Sequence, residues 1–308
     1  MKDIIIATRK SQLALWQSEH IKNLLQKHHN VNITLQGFKT KGDVLLDSPL
    51  AKIGGKGLFT KELEESMLSG KAHLAVHSLK DVPTFFPEGL ILGAISKREV
   101  VNDALLSDKF KDLNSLPKGA KVGTTSLRRK MQLLLIRPDL NIISLRGNIN
   151  SRIEKLKNGE FDAIILAYAG IKRLNLSSLV NYLYIFSEDE MIPAASQGAL
   201  GIECINDESI IDLLKCINDE NSFIETKIER EFIQTLEGGC QVPIGINAKL
   251  EQDKIQIRAI LGLPDASKIL KEQIIIDKNE FNNIGSLLAK KMIENGAREL
   301  LKQAESMI

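Results

Sequence analysis

Short apolar runs alternate with helical periods through the first two hundred residues, and this rhythm limits the possible folds more than any other property of the chain. Residues 3–8 read as a strand, and Ser11 is placed to cap a helix reaching residue 28, with Leu13, Trp16, Ile21 and Leu24 at helical spacing. Residues 31–35 alternate as a strand, 60–69 form a short helix closed by Gly70, and 74–76 and 90–95 are strands. The grammar then repeats: strand 121–123, helix 127–137 stopped by Pro138, strand 141–145, helix 148–157, strand 162–167. Strands alternating with helices imply parallel sheets with helices on both faces.

The pattern changes near residue 219. A long helical stretch bearing Ile224, Ile228, Phe232 and Leu236 leads to Gly238-Gly239-Cys240. Strand-like runs follow at 242–250, 254–263 and 269–277, then a final helix carrying Ile284, Leu288, Ile293 and Leu301. That order describes an α+β module. One domain boundary is expected near 218 and another near 97–102, at Lys97-Arg98-Glu99. A chain of 308 residues is long enough for two or three domains. No window approaches a membrane span, and the first apolar run is too short for a signal-peptide core, so a soluble cytoplasmic protein is expected. Cys204, Cys216 and Cys240 form no C-x-x-C pair, which argues against zinc ribbons and disulfide frameworks. Cys204 and Cys216 read as buried filler.

Net charge is only +2, but it is unevenly placed. Between Lys118 and Arg173 there are twelve basic residues against four acidic ones, whereas from Asn218 onward there are twelve against fifteen. Gly123-Thr124-Thr125-Ser126-Leu127-Arg128-Arg129 and Ser144-Leu145-Arg146-Gly147-Asn148-Ile149-Asn150-Ser151-Arg152 each run from a strand end into a helix start. Ala7-Thr8-Arg9-Lys10-Ser11 does the same after the first strand. Ligands of open α/β sheets bind at strand carboxyl ends, where helix N–H groups accept anions and arginine forks match carboxylates. A solvated basic face is the plain reading of one such element, but three shift the balance towards anion binding. Gly54-Gly55-Lys56-Gly57 is not a P-loop, and no G-x-G-x-x-G follows a strand. The basic stretch holds only Phe161 and Tyr168 as aromatics, too few for single-stranded nucleic acid. Small polyanions remain.

His73 and His77 lie in a strand-like run without the glutamate of a helical zinc motif, so they read as core or surface histidines and no metal is expected. Ser78-Leu79-Lys80-Asp81-Val82-Pro83 leaves the end of a strand, where the Asp81 carboxylate is placed for charge stabilisation or proton transfer. Cys240 follows two glycines that leave room for a large group. Its thiolate could serve as nucleophile or attachment point, and the absence of a neighbouring histidine favours attachment.

Taken together, these segments resemble the porphobilinogen deaminase (hydroxymethylbilane synthase) family. The collinear match runs through residues 6–17, 54–59, 77–83, 123–129, 146–148, Gln197-Gly198-Ala199-Leu200-Gly201-Ile202-Glu203 and Gly238-Gly239-Cys240-Gln241-Val242-Pro243. The resemblance implies two doubly wound domains like periplasmic binding proteins around a cleft, plus a C-terminal α+β domain. Their expected extents are 1–98 with 197–217, then 99–196, then 218–308. It implies a transferase that joins porphobilinogen molecules head to tail into linear hydroxymethylbilane, releasing ammonia, on a dipyrromethane held by a thioether to Cys240. Asp81 is then catalytic. Lys80, Ser78, Ser126, Arg128, Arg129 and Arg146 are expected at the cofactor, and Arg9, Ser11, Gln17, Lys56, Arg146 and Arg152 at the substrate. The family is monomeric, with neither nucleic acid nor membrane as partner.

Loss of ammonia leaves a cation that a carboxylate stabilises, and every pyrrole carries two carboxylates that need cationic anchors. Three departures from the family pattern stand out: Gln12 for a proline, Tyr168 among small residues, and Ala195-Ser196 for Val-Gly. The rivals are a non-catalytic carboxylate-binding module on the same scaffold and a nucleotide-dependent transferase.

Overall fold

The computed structural model describes residues 2–44, 58–238 and 242–307. In chain order these form β1 (Lys2–Arg9), α1 (Gln12–His28), β2 (Val31–Phe38), α2 (Lys41–Val44), α3 (Lys61–Leu68), β3 (Leu74–Ser78), β4 (Leu90–Ile95), β5 (Asp103–Ser107) and β6 (Lys121–Gly123). Next come α4 (Leu127–Ile136), β7 (Asn141–Ile143), α5 (Ile149–Lys157), β8 (Ala163–Ala167), α6 (Tyr168–Arg173), β9 (Tyr182–Ile185), β10 (Leu200–Ile205) and α7 (Glu208–Leu214). The last are α8 (Glu220–Thr235), β11 (Ile244–Glu251), β12 (Lys254–Gly262), β13 (Ile269–Asp277), α9 (Ile284–Glu294) and α10 (Ala297–Ser306). Among the described residues, one compact unit comprises 2–44, 58–99 and 198–223, and a second comprises 100–197, 224–238 and 242–307.

The first unit is built on a five-stranded sheet of order β2-β1-β3-β10-β4. β1 runs parallel to β2 and β3, whereas β10 runs antiparallel to β3 and β4. Alternation sends Ile4, Ile6, Leu74 and Val76 to one face, where Ile21 and Leu25 of α1 and Leu214 of α7 cover them. Ala7 and Ala75 face the other way, against Leu63 and Met67 of α3.

The second unit holds a sheet of order β7-β6-β8-β5-β9, in which β5 alone runs against its neighbours. The two sheets share one strand order and one pattern of directions. The sequence shows no repeat behind it, and the expectation of parallel sheets is corrected to mixed ones. Strand direction is not written in a local apolar run, and the odd strand comes from late in the chain in one sheet (β10) and early in the other (β5). Tyr168 fills space beside the Ile153, Leu166 and Ile171 cluster, so its bulk is absorbed by packing.

The second unit also contains the antiparallel meander β11-β12-β13. Ile228 and Phe232 of α8, Leu288 and Met292 of α9 and Leu300 of α10 pack on Ile246, Ile255 and Ile257. Ile260 packs with Met131 of α4 and Ile192, and the Ile246 amide donates to the Pro193 carbonyl at 3.0 Å. The single final helix expected from the sequence is two helices, broken at Asn295-Gly296 where Gly296 takes φ +90°. Cys204 is buried as expected, and burial pushes its thiol up to about 12, with Glu203 and Asp207 adding to the rise. Cys216 is exposed, which corrects its reading as filler: α7 ends at Leu214, before the apolar face reaches it.

Ser196, where the family pattern has glycine, sits at φ +61°, and its hydroxyl is buried without a partner among the described residues. Left-handed backbone costs an L-residue roughly 1 kcal/mol, more than the entropy a glycine adds to the unfolded chain. Ser196→Gly is expected to raise Tm by about 1 °C in calorimetry; a lower Tm would contradict this account of the turn.

Candidate active site

In the first unit, β1 and β3 are parallel neighbours, so the turns leaving their carboxyl ends open on one edge of the sheet. Ser11 caps α1, accepting from the Ala14 amide at 3.3 Å. Gln17 is buried in the same helix, and its Nε2 donates to Ser78 Oγ at 2.8 Å, tying the two turns together. A single 3-10 turn, Leu79–Asp81, follows β3. Leu79 is fully buried and its amide donates to the Ala199 carbonyl at 3.0 Å, leaving Lys80 half-buried and Asp81 exposed. Beneath them, His77 Nε2 lies 3.1 Å from Glu203 Oε2, joining β3 to β10. His73 accepts from the Ile5 amide at 3.0 Å. Both histidines serve the sheet, and no group of three His, Cys, Asp or Glu that could hold a metal occurs among the described residues.

Arg9 ends β1 already engaged. Its Nε donates to Asp43 Oδ2 at 3.2 Å, its Nη2 pairs with the other carboxylate oxygen, and its guanidinium lies 4.4 Å from the centre of the Phe59 ring. Burial would raise the Asp43 pKa, but bonds from Arg9 and Thr40 outweigh it and hold the carboxyl below its ordinary value. The Arg9 guanidinium is thus already paired with a protein carboxylate.

In the second unit, β6 and β7 are likewise parallel neighbours, and their turns touch. Thr125 Oγ1 donates to the Leu145 carbonyl at 3.2 Å, and the Thr124 amide to that of Ile143 at 2.9 Å. Ser126 caps α4, accepting from the Arg129 amide at 3.4 Å, and Asn148 caps α5, accepting from the Ser151 amide at 3.0 Å. Gly147 takes φ +112°, and a Cβ there would collide with Ser151 Oγ, so only glycine fits between Arg146 and Asn148. Arg152 Nε donates to the Gly147 carbonyl at 2.8 Å, and both Arg146 and Arg152 are half-buried.

Arg128 and Arg129, at the first turn of α4, are buried around Asp103, which opens β5 and is itself fully buried. Arg129 Nε and Nη2 donate to Asp103 Oδ1 at 3.1 and 2.7 Å, and its Nη1 to the Ile165 carbonyl at 3.0 Å. Arg128 Nη1 lies 2.7 Å from Asp103 Oδ2 and donates to the Ile192 carbonyl at 2.8 Å. Gln197 Nε2 adds donations to Asp103 Oδ1 at 3.0 Å and to the Val101 carbonyl at 2.6 Å. Burial would raise the Asp103 pKa, but the two guanidiniums prevail and hold it far below the carboxylate range. That contribution to stability is complete above the unfolded carboxylate pKa near ~4 and is lost only as pH falls towards the depressed folded value.

Sequence reasoning missed Asp43, Asp103 and Glu229. Asp103 heads a five-residue strand that carries no alternation of its own. Glu229 is a buried acid on α8 that accepts from the Ser196 amide at 2.5 Å and the Ala248 amide at 2.8 Å, fastening the 190s segment to β11. Lys56 and Cys240 lie outside the described residues.

Two sheets of one topology, each gathering charged side chains on adjoining strand-end turns, define a protein that handles small polyanions. The family model for "Porphobilinogen deaminase, dipyromethane cofactor binding domain" matches residues 4–212, and that for "Porphobilinogen deaminase, C-terminal domain" matches 223–294. A porphobilinogen deaminase of Campylobacter jejuni (strain 81-176) is 74% identical over 305 residues, covering 99% of each chain. Those of Campylobacter lari and Campylobacter hominis are 73% and 64% identical, over 99% and 100% of each chain. A solved periplasmic VFT2 domain of Bordetella pertussis BvgS aligns with 70% of this chain and 86% of its own at 14% identity and TM-score 0.42, too remote for any argument.

The chain belongs to the porphobilinogen deaminase family. Its activity is the deaminating polymerisation of porphobilinogen to linear hydroxymethylbilane, a transferase step of porphyrin biosynthesis that uses dipyrromethane. The non-catalytic binding module and the nucleotide-dependent transferase are set aside.

Proposed function

We propose that Cys240 carries the dipyrromethane through a thioether and that the charged turns of the two sheets divide the remaining work. The observation that carries this reading is the direct bonding of paired turns, Gln17 to Ser78 in one sheet and Thr125 to Leu145 in the other. Such bonding makes each pair of turns a single rigid site. The donor set suits a carboxylate-rich group: Arg128, Arg146 and Arg152 offer guanidinium forks, and Ser126 stands at a helix start. When bound, dipyrromethane supplies the nucleophilic pyrrole end to which new units are joined.

Asp81 is exposed and has no ion pair among the described residues, which suits its carboxylate oxygens to a pyrrole N–H and to the cationic charge left when ammonia departs. It accepts a proton there. Lys80, beside it, draws acidic side chains of the substrate to the same turn, with Gln17 and Ser11; Lys56 is proposed as a further substrate cation on the family resemblance alone. Arg9 joins them by sharing with Asp43. The protein works as a cytoplasmic monomer in three domains (1–98 with 197–217, 99–196 and 218–308), a division supported by the separate core of each sheet. No helix among the described residues is long and apolar enough to cross a membrane.

Arginine substitutions test the reading. Arg298 is half exposed on α10 and, among the described residues, pairs with exposed Glu237 at 3.1 Å. Arg128→Leu removes charged hydrogen bonds worth about 1.5–3 kcal/mol, so primer loading or turnover should fall roughly 10- to 100-fold. Arg298→Leu should change either by less than about twofold. Equal effects in rate assays below the Tm of both variants would refute a localised anion site.

A further inference from the structure

We propose that Asp103 is a positioning residue for primer binding: its buried carboxylate, clamped by Arg129, aims the guanidinium group of Arg128 at a carboxylate of the dipyrromethane. This rests on reading Arg128 as a carboxylate anchor. Stability alone is a poor explanation of the trio, because a buried ion pair is commonly no more stabilising than apolar residues of the same volume. Its geometry is better suited to aiming.

Asp103 Oδ1 takes three donors, Arg129 Nε, Arg129 Nη2 and Gln197 Nε2, and these fix the plane of the carboxylate. Gln197 is anchored in turn on the Val101 carbonyl. Arg129 uses its remaining nitrogen on the Ile165 carbonyl, which prevents rotation of its fork. Arg128 is pinned at Nη1 alone, by Asp103 Oδ2 and the Ile192 carbonyl. Ile192 is held by Gln132, which donates to its carbonyl at 3.0 Å and accepts from its amide at 2.8 Å. Among the described residues the Nε and Nη2 of Arg128 find no acceptor, so one edge of that fork stays open to an added carboxylate. The trio bears net charge +1, and a single carboxylate neutralises it. Without Asp103, two adjacent guanidiniums would repel each other and turn apart.

The test follows primer loading in the full chain. Protein is made in cells lacking porphobilinogen, porphobilinogen is added, and the gain of two pyrrole units is timed by intact-mass spectrometry. An ångström of misplacement can cost about a hundredfold, so Asp103→Asn should load at least about tenfold more slowly at a temperature where circular dichroism shows it folded. Asp103→Ala leaves a hole of carboxylate size. Formate should therefore speed its loading in a saturable way, whereas chloride at equal ionic strength should not. Gln197→Leu keeps every charge but removes one of the three donors that fix the plane of the Asp103 carboxylate, and it should also load slowly if Asp103→Asn does not fold. Loading of Asp103→Asn or Gln197→Leu at the parental rate, or formate and chloride acting alike, would overturn the proposal. Arg128→Leu separates the two levels. Slow loading there beside parental loading in Asp103→Asn removes only the positioning role, while parental loading in Arg128→Leu removes the anchor reading on which it rests.

Discussion

Asp81→Ala is expected to retain the two-pyrrole mass gain while turning over porphobilinogen at less than about one-hundredth of the parental rate. Removing one preorganised group at a developing charge typically costs about 2.7–4 kcal/mol of barrier. The charge is positive, on a pyrrole losing ammonia, and a carboxylate is the matching counterpart. Folding does not confound the experiment. Asp81 is exposed at the end of a 3-10 turn anchored by buried Leu79, so truncation opens no cavity, and stability should move by less than about 0.5 kcal/mol. Steady-state rates, intact mass and a melting curve on one preparation check all three statements. A near-parental rate would remove Asp81 from the chemistry.

Cys240→Ser is expected to abolish both the mass gain and turnover. A serine hydroxyl is far less ionised than a thiol at neutral pH and is a much weaker nucleophile towards a pyrrole-derived cation. The other two cysteines cannot substitute. Cys204 is fully buried in β10 with its thiol pushed up to about 12, and Cys216, though exposed, has its thiol raised by burial. Neither follows a glycine pair that leaves room for a large group. Any residual adduct in Cys240→Ser would place the attachment elsewhere.

Local signals were legible where one residue type decides the outcome. Ser11 marked a helix start by side-chain chemistry, and the structure has it accepting from the backbone as a cap; Ser126 and Asn148 cap the next two strand-end helices in the same way. β13 was readable to the residue as the run 269–277, and its half-buried and exposed positions alternate from Leu270 onward. The reversed strands were not legible, since the run 103–107 holds the same residue types in either direction. Nor were the partners of the arginines. Asp43 and Asp103 lie 34 and 26 residues from Arg9 and Arg129, and only the fold brings them together. A cluster of arginines therefore reads in sequence as a set of free anion anchors, although Arg9 and Arg129 hold protein carboxylates. The place of Asp81 just past the end of a strand was legible, because the apolar run of β3 stops where the polar turn begins.

The most direct measurement of the central claim, a carboxylate-rich primer tethered at one cysteine, is a proteolytic map of protein exposed to porphobilinogen. The account predicts that the added two-pyrrole mass appears on the fragment containing Cys240 and on no other, and that Cys240→Ser lacks it. An unmodified Cys240 fragment in protein that still makes hydroxymethylbilane would contradict it.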